Sequence, residues 1–233
     1  MRPLRETWVV VATGTEVGKT HVSMCILEAL RRGGTSALGL KPVESGGSSS
    51  VETDAARLGR ASGARVPPRY AFAPPISPHL AARDVGTPIE VAEVVAWVDA
   101  HRGDEGVTLV ETAGGLLSPL SETATNLDLM VALAPTEVVL VVGNRLGALH
   151  DARACMMALA AVGWQRSRVV VALSDAMPAK GRPMATNGAE LRTLGVVSRL
   201  VRVAHGKVDG DAGRRGGEEL VAMVRNRGGG SPG

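Results

Sequence analysis

Almost unbroken apolar runs recur along most of the chain, with stretches long enough for a helix between them. Runs of Val and Leu without polar alternation are typical of strands that are buried on both faces of a sheet. We therefore predict an α/β fold in which a mostly parallel central sheet is flanked by helices on both faces. The runs cover residues 8–11, 37–40, 107–111, 137–142, 168–173 and 195–203.

Helix signals fill several of the stretches between these runs. Residues 21–32 repeat apolar side chains on one face and stop at a Gly-Gly pair, and residues 51–58 also have a helical composition. The sequence Thr87-Pro88-Ile89-Glu90 predicts the start of a helix that ends near residue 101, with a capping box between Thr87 and Glu90. Residues 44–50, rich in Gly and Ser, and residues 63–78, rich in Pro, are predicted to be surface loops.

Length and composition favour one large domain. A chain of 233 residues can bury a sizeable core. We assign residues 1–227 to a single α/β domain and the Gly-rich residues 228–233 to a disordered tail. Aromatic residues make up only 2% of the chain, so the core must consist of Val, Leu and Ala, and stacking on nucleic-acid bases is not expected.

Charge, apolar run length and cysteine usage indicate which partners and which cellular location to expect. The formal net charge is +3 and the basic residues are scattered, so no nucleic-acid partner is expected. No apolar run approaches the roughly 18 residues that a transmembrane helix needs, and no leader is recognisable, so we expect a cytoplasmic protein without a membrane partner. Cys25 and Cys155 have apolar neighbours in predicted helices and are interpreted as buried thiols rather than a disulfide.

A candidate phosphate-binding loop lies between the first predicted strand and the first predicted helix. Its sequence is Ala12-Thr13-Gly14-Thr15-Glu16-Val17-Gly18-Lys19-Thr20. A turn in this position directs backbone N–H groups and a helix N-terminus at one point, where a nucleotide phosphate can bind. Lys19 would reach the β- and γ-phosphates, and the Thr20 hydroxyl would ligate Mg²⁺. The pattern departs from G-x-x-x-x-G-K-[ST] at its first position, which is Ala12. The fold is therefore predicted to be P-loop NTPase-like.

Further polar side chains follow other strands of the predicted sheet. Lys41 ends the second strand and Glu111 the third, and Asp54 lies in the neighbouring segment. Ligands bind at the carboxyl ends of strands in open α/β sheets. Thr20, Asp54 and Glu111 make a sensible magnesium set, with Lys19 and Lys41 beside it to neutralise a phosphoryl group. Taken singly, Asp54 also suits a first-turn helix carboxylate, and Lys41 a solvated side chain.

With these residues assembled, the chain resembles the dethiobiotin synthetase family. The matching stretches occur in the order of the family and span residues 8–175. They are Thr15-Glu16-Val17-Gly18-Lys19-Thr20, Lys41-Pro42-Val43-Glu44-Ser45-Gly46, Thr53-Asp54, Ser77-Pro78-His79, Glu111-Thr112-Ala113-Gly114-Gly115, Pro119-Leu120-Ser121 and Val141-Val142-Gly143-Asn144-Arg145-Leu146-Gly147.

The resemblance implies an activity and a mechanism. In this family 7,8-diaminopelargonate takes up CO₂ as a carbamate, and the carbamate attacks the γ-phosphate of ATP. The second amine then closes the ureido ring by displacing phosphate. The expected enzyme is thus a cyclo-ligase of biotin biosynthesis that uses ATP and Mg²⁺ and acts as a homodimer.

The resemblance also assigns roles to residues. Thr20, Asp54 and Glu111 would hold Mg²⁺, while Lys19 and Lys41 would be catalytic and Lys41 would also contact the substrate. Thr15 and Ser45 would contact the reacting end of the substrate or the phosphates. The remaining nucleotide contacts would come from Glu16, Val17, Gly18 and Ser174. The substrate's distal carboxylate would bind the neighbouring subunit at Gly147, Ala148, Leu149 and His150.

Several positions depart from the family pattern. Ala12 replaces a glycine, Gly14 replaces an aspartate that contacts substrate, and His150-Asp151 replaces Asn-His. Ser174 stands where an asparagine usually reads adenine, which leaves the choice of base open.

Three alternatives remain open at this level. One is a switch ATPase of the partitioning type, although the signature lysine at the start of its loop is absent here. The others are a synthetase for a related substrate and a nucleotide-binding paralogue that has lost carboxylation.

Overall fold

The computed structural model describes residues 5–47, 52–176 and 182–226, and its centre is a parallel sheet of six strands. The strand order is β2-β5-β1-β6-β7-β8, and every neighbouring pair is parallel. The strands are β1 (Arg5–Ala12), β2 (Ala37–Leu40), β3 (Val43–Ser45), β4 (Tyr70–Phe72), β5 (Gly106–Glu111), β6 (Glu137–Gly143), β7 (Val169–Ser174) and β8 (Leu200–Val203). The helices are α1 (Lys19–Arg32), α2 (Asp54–Ser62), α3 (Pro78–Asp84), α4 (Val91–His101), α5 (Asn126–Ala132), α6 (Ala148–Ala161), α7 (Arg182–Thr193) and α8 (Asp211–Arg225).

Helices cover both faces of the sheet, as the unbroken apolar runs predict. Val9 and Val11 of β1 pack into one hydrophobic cluster with α4, α5, α6 and α7. Trp8 and Val10 point to the other face and pack with α1, α2 and α8. Because successive side chains of a strand alternate between faces, a strand with two covered faces must be apolar throughout. The predicted fold class is thus confirmed.

The parallel arrangement brings the carboxyl ends of the strands to one edge of the sheet. In the register of β1 and β5, Val10 pairs with Glu111, and in that of β6 and β7, Gly143 pairs with Ser174. The loops that follow β1, β2, β5, β6 and β7 therefore open on the same side. This edge carries the candidate site.

Two predicted loops contain a small second sheet, so those predictions are wrong in part. Val43–Ser45 forms β3 and pairs with Tyr70–Phe72, which forms β4. Glu44 is buried instead of lying in a surface loop, and Val43 and Phe72 belong to the core. Pro42 ends the ladder of β2, after which the chain can pair elsewhere. Each strand has three residues, too short to stand out from the Pro- and Gly-rich sequence around it.

The predicted capping box at Thr87 is also wrong. Helix α4 begins at Val91, and Glu90 at its N-cap is extended without a side-chain cap. The preceding Ile89 is buried in the core, and the Tyr70 hydroxyl accepts a hydrogen bond from Glu90 N at 3.3 Å. Burying Ile89 removes apolar surface from water, which outweighs a local capping preference.

Other element boundaries shift by a few residues. Helix α1 begins at Lys19 instead of residue 21, α2 begins at Asp54, and β8 begins at Leu200 instead of residue 195. Cys25 and Cys155 are free and buried, as expected. Within the ranges described, no helix has the length and apolar character needed to cross a bilayer. The predicted tail, residues 228–233, lies outside the described residues.

Candidate functional site

The phosphate loop starts later than its sequence pattern suggests. Ala12 is still part of β1 and pairs with Val141 of β6, and Thr13 N donates to Val141 O at 3.0 Å. Ala12 O in turn accepts a hydrogen bond from Leu116 N at 2.7 Å. A residue held in a strand ladder needs no left-handed backbone conformation, so alanine fits where the usual pattern has glycine.

Gly18 is the position in the loop where the structure requires glycine. Its φ is +94°, and a Cβ there would lie 2.5 Å from both Ser174 Oγ and Ala176 Cβ. Ser174 is fully buried, and its hydroxyl accepts a hydrogen bond from Ala176 N at 3.3 Å. The Ser174 side chain, predicted to contact nucleotide, therefore lies directly against the phosphate loop.

Helix α1 presents its open N-terminus to this loop. Gly18 at the N-cap provides no side-chain cap, so the first-turn N–H groups are free to bind an anion. The loop also exposes Thr15 and Glu16 and buries Val17. Lys19 Nζ donates to Gly14 O at 3.3 Å. Burial, and to a lesser extent the charge of Lys41, lowers the pKa of Lys19 to about 8.

Lys41 lies at the centre of the predicted metal and phosphate residues. Its Nζ is 2.6 Å from Glu111 Oε1, 3.6 Å from Asp54 Oδ2 and 3.1 Å from Thr112 O. Glu111 Oε1 also accepts a hydrogen bond from Thr20 Oγ1 at 3.0 Å. Burial alone would lower the pKa of Lys41, but the charges of Glu111 and Asp54 outweigh it and raise that pKa. Three strand ends thus converge as predicted.

Glu44 is a site residue that sequence reasoning missed. Its Oε1 accepts a hydrogen bond from Asp54 N at 2.5 Å, and its Oε2 accepts one from Ala55 N at 3.3 Å. Burial raises the pKa of this carboxyl, and the two N–H donors oppose that shift. A carboxylate at the N-terminus of α2 is favoured by the helix dipole and fixes the position of Asp54. A contact between residues ten apart across a loop leaves no local signal in the sequence.

The donor atoms fit a magnesium ion. Thr20, Asp54 and Glu111 offer a hydroxyl and two carboxylates, the hard oxygen ligands that Mg²⁺ prefers, and phosphate and water can complete the coordination. Glu111 is fully buried, and its Oε2 has no hydrogen-bond partner. Such an orphaned carboxylate oxygen is costly unless a cation binds it. Among the described residues, no three His, Cys, Asp or Glu side chains lie together as a metal site, so this set of two carboxylates and a hydroxyl depends on phosphate and water for its remaining ligands.

Of the predicted magnesium ligands, Asp54 borders a cavity of about 560 Å³, next to both lysines. Thr15, Lys19, Lys41, Ser45 and Asp54 all line it, so the residues predicted to contact the reacting end of the substrate face the same space as the lysines. The loop before α3 and the loop after β5 also contribute to its lining. A cavity of this size, with few and convergent charged groups, suits a small polar substrate next to a phosphate.

The loop after β5 is held by Asn126, which sequence reasoning also missed. The Asn126 amide donates to Ala113 O at 2.5 Å and to Gly115 O at 2.8 Å. Asn126 is the first residue of α5, which Thr125 begins with a capping box to Asp128. The buried amide thereby fixes the segment that follows Glu111.

The predicted distal-carboxylate segment lies apart from the lysines within one chain. Gly147 is the N-cap of α6, with φ +95°, and Ala148, Leu149 and His150 form the first turn. None of the four residues lines the cavity that contains Lys41. The turn is held by an ion pair between Arg145 and Asp151, at 2.9 Å.

Comparison with known proteins identifies the family. A family model described as an AAA domain matches residues 6–204. The ATP-dependent dethiobiotin synthetase BioD of Caulobacter vibrioides is 39% identical over 176 residues, covering 71% of this chain and 78% of the relative. The enzyme of the same name from Anaeromyxobacter dehalogenans is 35% identical over 189 residues, covering 79% of this chain and 83% of the relative.

Solved structures support the fold. A plasmid partition protein from Borrelia burgdorferi bound to AMPPNP has a TM-score of 0.61 at 10% identity, covering 97% of this chain and all of that one. A ParA family ATPase from Chlorobium tepidum has a TM-score of 0.56 at 12% identity, covering 96% and 97%. At such identities the likeness is one of P-loop fold alone. The sequence relatives are synthetases, and the chain belongs to the dethiobiotin synthetase family.

Proposed function

We propose that this protein closes the ureido ring of dethiobiotin from 7,8-diaminopelargonate, CO₂ and ATP. The observation that carries the proposal is the buried Lys41 ammonium, 2.6 Å from Glu111 and beside the phosphate loop, in one cavity with Lys19. The names of the sequence relatives support it.

The reaction consists of three bond-forming steps. One amine of the substrate adds to CO₂, giving a carbamate and a proton. A carbamate oxygen then attacks the γ-phosphorus of ATP, and ADP leaves. The second amine attacks the carbonyl carbon of the anhydride, inorganic phosphate leaves, and the nitrogen loses a proton.

The two lysines address the main obstacle, which is that an anionic carbamate must approach an anionic triphosphate. Two ammonium groups facing one cavity offset this repulsion and hold the reactants in line. Lys19, at the end of the loop, would contact the phosphates, and Lys41 would contact the carbamate oxygens. The phosphate charge would also hold Lys19 protonated, against the burial that lowers its pKa to about 8.

Thr20, Asp54 and Glu111 would hold Mg²⁺, which neutralises charge on the triphosphate when it is bound. Lys41 contacts Glu111 and Asp54, two of the residues that would hold this ion, so we propose that its ammonium would turn toward the substrate in the metal-bound protein. Glu44 keeps Asp54 in position through the backbone of α2.

We further propose a homodimer in which the distal carboxylate binds the α6 N-terminus of the neighbouring subunit, at Gly147, Ala148, Leu149 and His150. Supporting this, Leu146 before α6 is 81% exposed and Met157 on α6 is 65% exposed, which gives apolar surface that a partner subunit would cover. Thr15 and Ser45 would contact the reacting end. Buried thiols at Cys25 and Cys155 agree with a cytoplasmic location.

Ser174 bears on which nucleotide base the protein prefers. Ser174 is fully buried and packs on Gly18, so a base contact through its hydroxyl would be unavailable in this arrangement. We therefore propose that the protein discriminates weakly between ATP and other nucleoside triphosphates.

Phosphate release from the magnesium complexes of ATP, CTP and GTP tests these proposals, with bicarbonate present and with or without 7,8-diaminopelargonate. Diamine-dependent release with formation of dethiobiotin is expected, and Lys41→Met and Glu111→Gln should abolish it while the protein stays folded. Release that ignores the diamine would instead favour a switch ATPase or a paralogue without carboxylation.

A further inference from the structure

Ser77 and His79 form a polar pair at the cavity wall that has no role in the reaction as proposed. Ser77 lines the cavity that contains Lys41 and Ser45. Its Oγ lies 2.9 Å from His79 Nδ1. Both side chains are half-buried, and His79 also borders a second cavity of about 380 Å³.

The Ser77 hydroxyl does not make the hydrogen bond that a serine at a helix N-cap usually makes. Ser77 is the N-cap of α3, and its carbonyl accepts hydrogen bonds from Leu80 N and Ala81 N at 3.0 and 3.1 Å. Its side chain, however, makes no capping hydrogen bond. An N-cap serine normally accepts from a first-turn N–H. Here the hydroxyl is held by the imidazole instead.

Resting on the proposed function, we propose that Ser77 accepts a hydrogen bond from the amine of the substrate and that His79 is the positioning residue that makes this possible. A hydroxyl has one hydrogen and two lone pairs. When the hydrogen is donated to His79 Nδ1, a lone pair of Ser77 is left for an N–H donor in the cavity. An amine with its nitrogen lone pair free is the form that adds to CO₂ or closes the ring.

Protonation of His79 reverses this arrangement. An imidazolium has a hydrogen on both nitrogens, so Nδ1 would become a donor and the Ser77 hydrogen would turn into the cavity. The charged side chains that line the second cavity with His79 are Arg83, Glu90 and Glu122, and Arg83 forms an ion pair with Glu122. Binding of the diamine is therefore expected to weaken as His79 takes up a proton.

The test is the KM for 7,8-diaminopelargonate in a set of variants. Ser77→Ala should raise it about three- to tenfold, the effect of one lost hydrogen bond, with the affinity for the magnesium–nucleotide complex unchanged. His79→Ala should do the same, and the double variant should be no worse than Ser77→Ala. His79→Asn keeps an acceptor oxygen near the place of Nδ1, so it should restore a low KM.

The pH profile separates positioning from a structural role. His79→Asn should lose the part of the rise in KM at low pH that follows the titration of His79, measured by NMR in the unaltered protein. His101→Asn, whose ring packs on Trp97, serves as the matched control and should keep that rise.

Additive effects in the double variant, or a KM that ignores both substitutions, would overturn this inference and leave the proposed function standing. A complete lack of diamine-dependent turnover in the unaltered chain would overturn both.

Discussion

At the scale of single residues, Gly18 links the phosphate loop to the end of β7. Gly18→Ala would place a methyl group 2.5 Å from Ser174 and Ala176 at a φ of +94°. We expect it to lower the free energy of unfolding by about 2–4 kcal/mol, from backbone strain plus overpacking, and to weaken nucleotide binding. Gly34→Ala is the control, because φ is +72° there with open space around the new atom, so about 1 kcal/mol is expected. Equal losses in urea denaturation would contradict the packing argument.

A second residue-scale prediction concerns the pH dependence that Lys19 confers. Its pKa in the folded protein is lowered to about 8 from an ordinary 10.5, so the folded state binds fewer protons than the unfolded state between these values. Stability should therefore rise with pH across this window, and nucleotide affinity should fall, since the free protein loses its ammonium. Lys19→Met should lack both trends. Denaturation and nucleotide titration between pH 7 and 10.5 measure them, and parallel curves for the two proteins would exclude Lys19 as their source.

At the scale of elements, α2 holds a metal ligand in its first turn. Thr53 caps this helix by accepting a hydrogen bond from Ala56 N at 3.2 Å, next to Asp54. Thr53→Ala should cost about 1 kcal/mol and raise the magnesium concentration needed for half-maximal turnover, because Asp54 loses its fixed position. Ser62→Ala removes a side-chain hydrogen bond at the other end of α2, to Leu58 O, and should leave the magnesium response unchanged. A shifted magnesium response in both variants would point to general loosening of the helix.

The elements differ in how well the sequence predicts them. The six strands of the main sheet were predictable because burial on both faces forces an unbroken apolar run, and the meeting of Lys41 with Glu111 follows from parallel strand ends. The three-residue strands β3 and β4 carry no such pattern. The start of α4 was predicted wrongly because burial of Ile89 decides it. The contacts of Glu44 with α2 and of Ser174 with Gly18 depend on close approach between distant segments, which periodicity does not encode.

At the scale of the whole molecule, the exposed apolar side chains around the start of α6 bear on assembly. Leu146 is 81% exposed at the turn that leads into this helix. Leu146→Glu should convert a dimer into a monomer and raise the KM for the diamine, because the distal-carboxylate site would be lost. Leu194→Glu, at a leucine that is 49% exposed beyond α7, is the matched control and should stay dimeric. Sedimentation velocity distinguishes the two, and a monomeric unaltered protein would contradict the proposed assembly.

Lys41 lies among Glu111, Asp54 and Thr112, so its ammonium neutralises the two carboxylates before any metal binds. A magnesium ion that binds without nucleotide would have to displace the Lys41 ammonium, which already neutralises these carboxylates. The net gain in binding free energy would therefore be small. A magnesium ion that binds together with a triphosphate would bring negative charge, and the displaced ammonium could pair with the phosphate oxygens. We therefore expect calorimetry to detect tight magnesium binding to the unaltered protein only when nucleotide is present. The Lys41→Met variant is expected to bind magnesium tightly in the absence of nucleotide as well. Equal magnesium affinity of the two proteins without nucleotide would mean that Lys41 does not compete with the metal for these carboxylates.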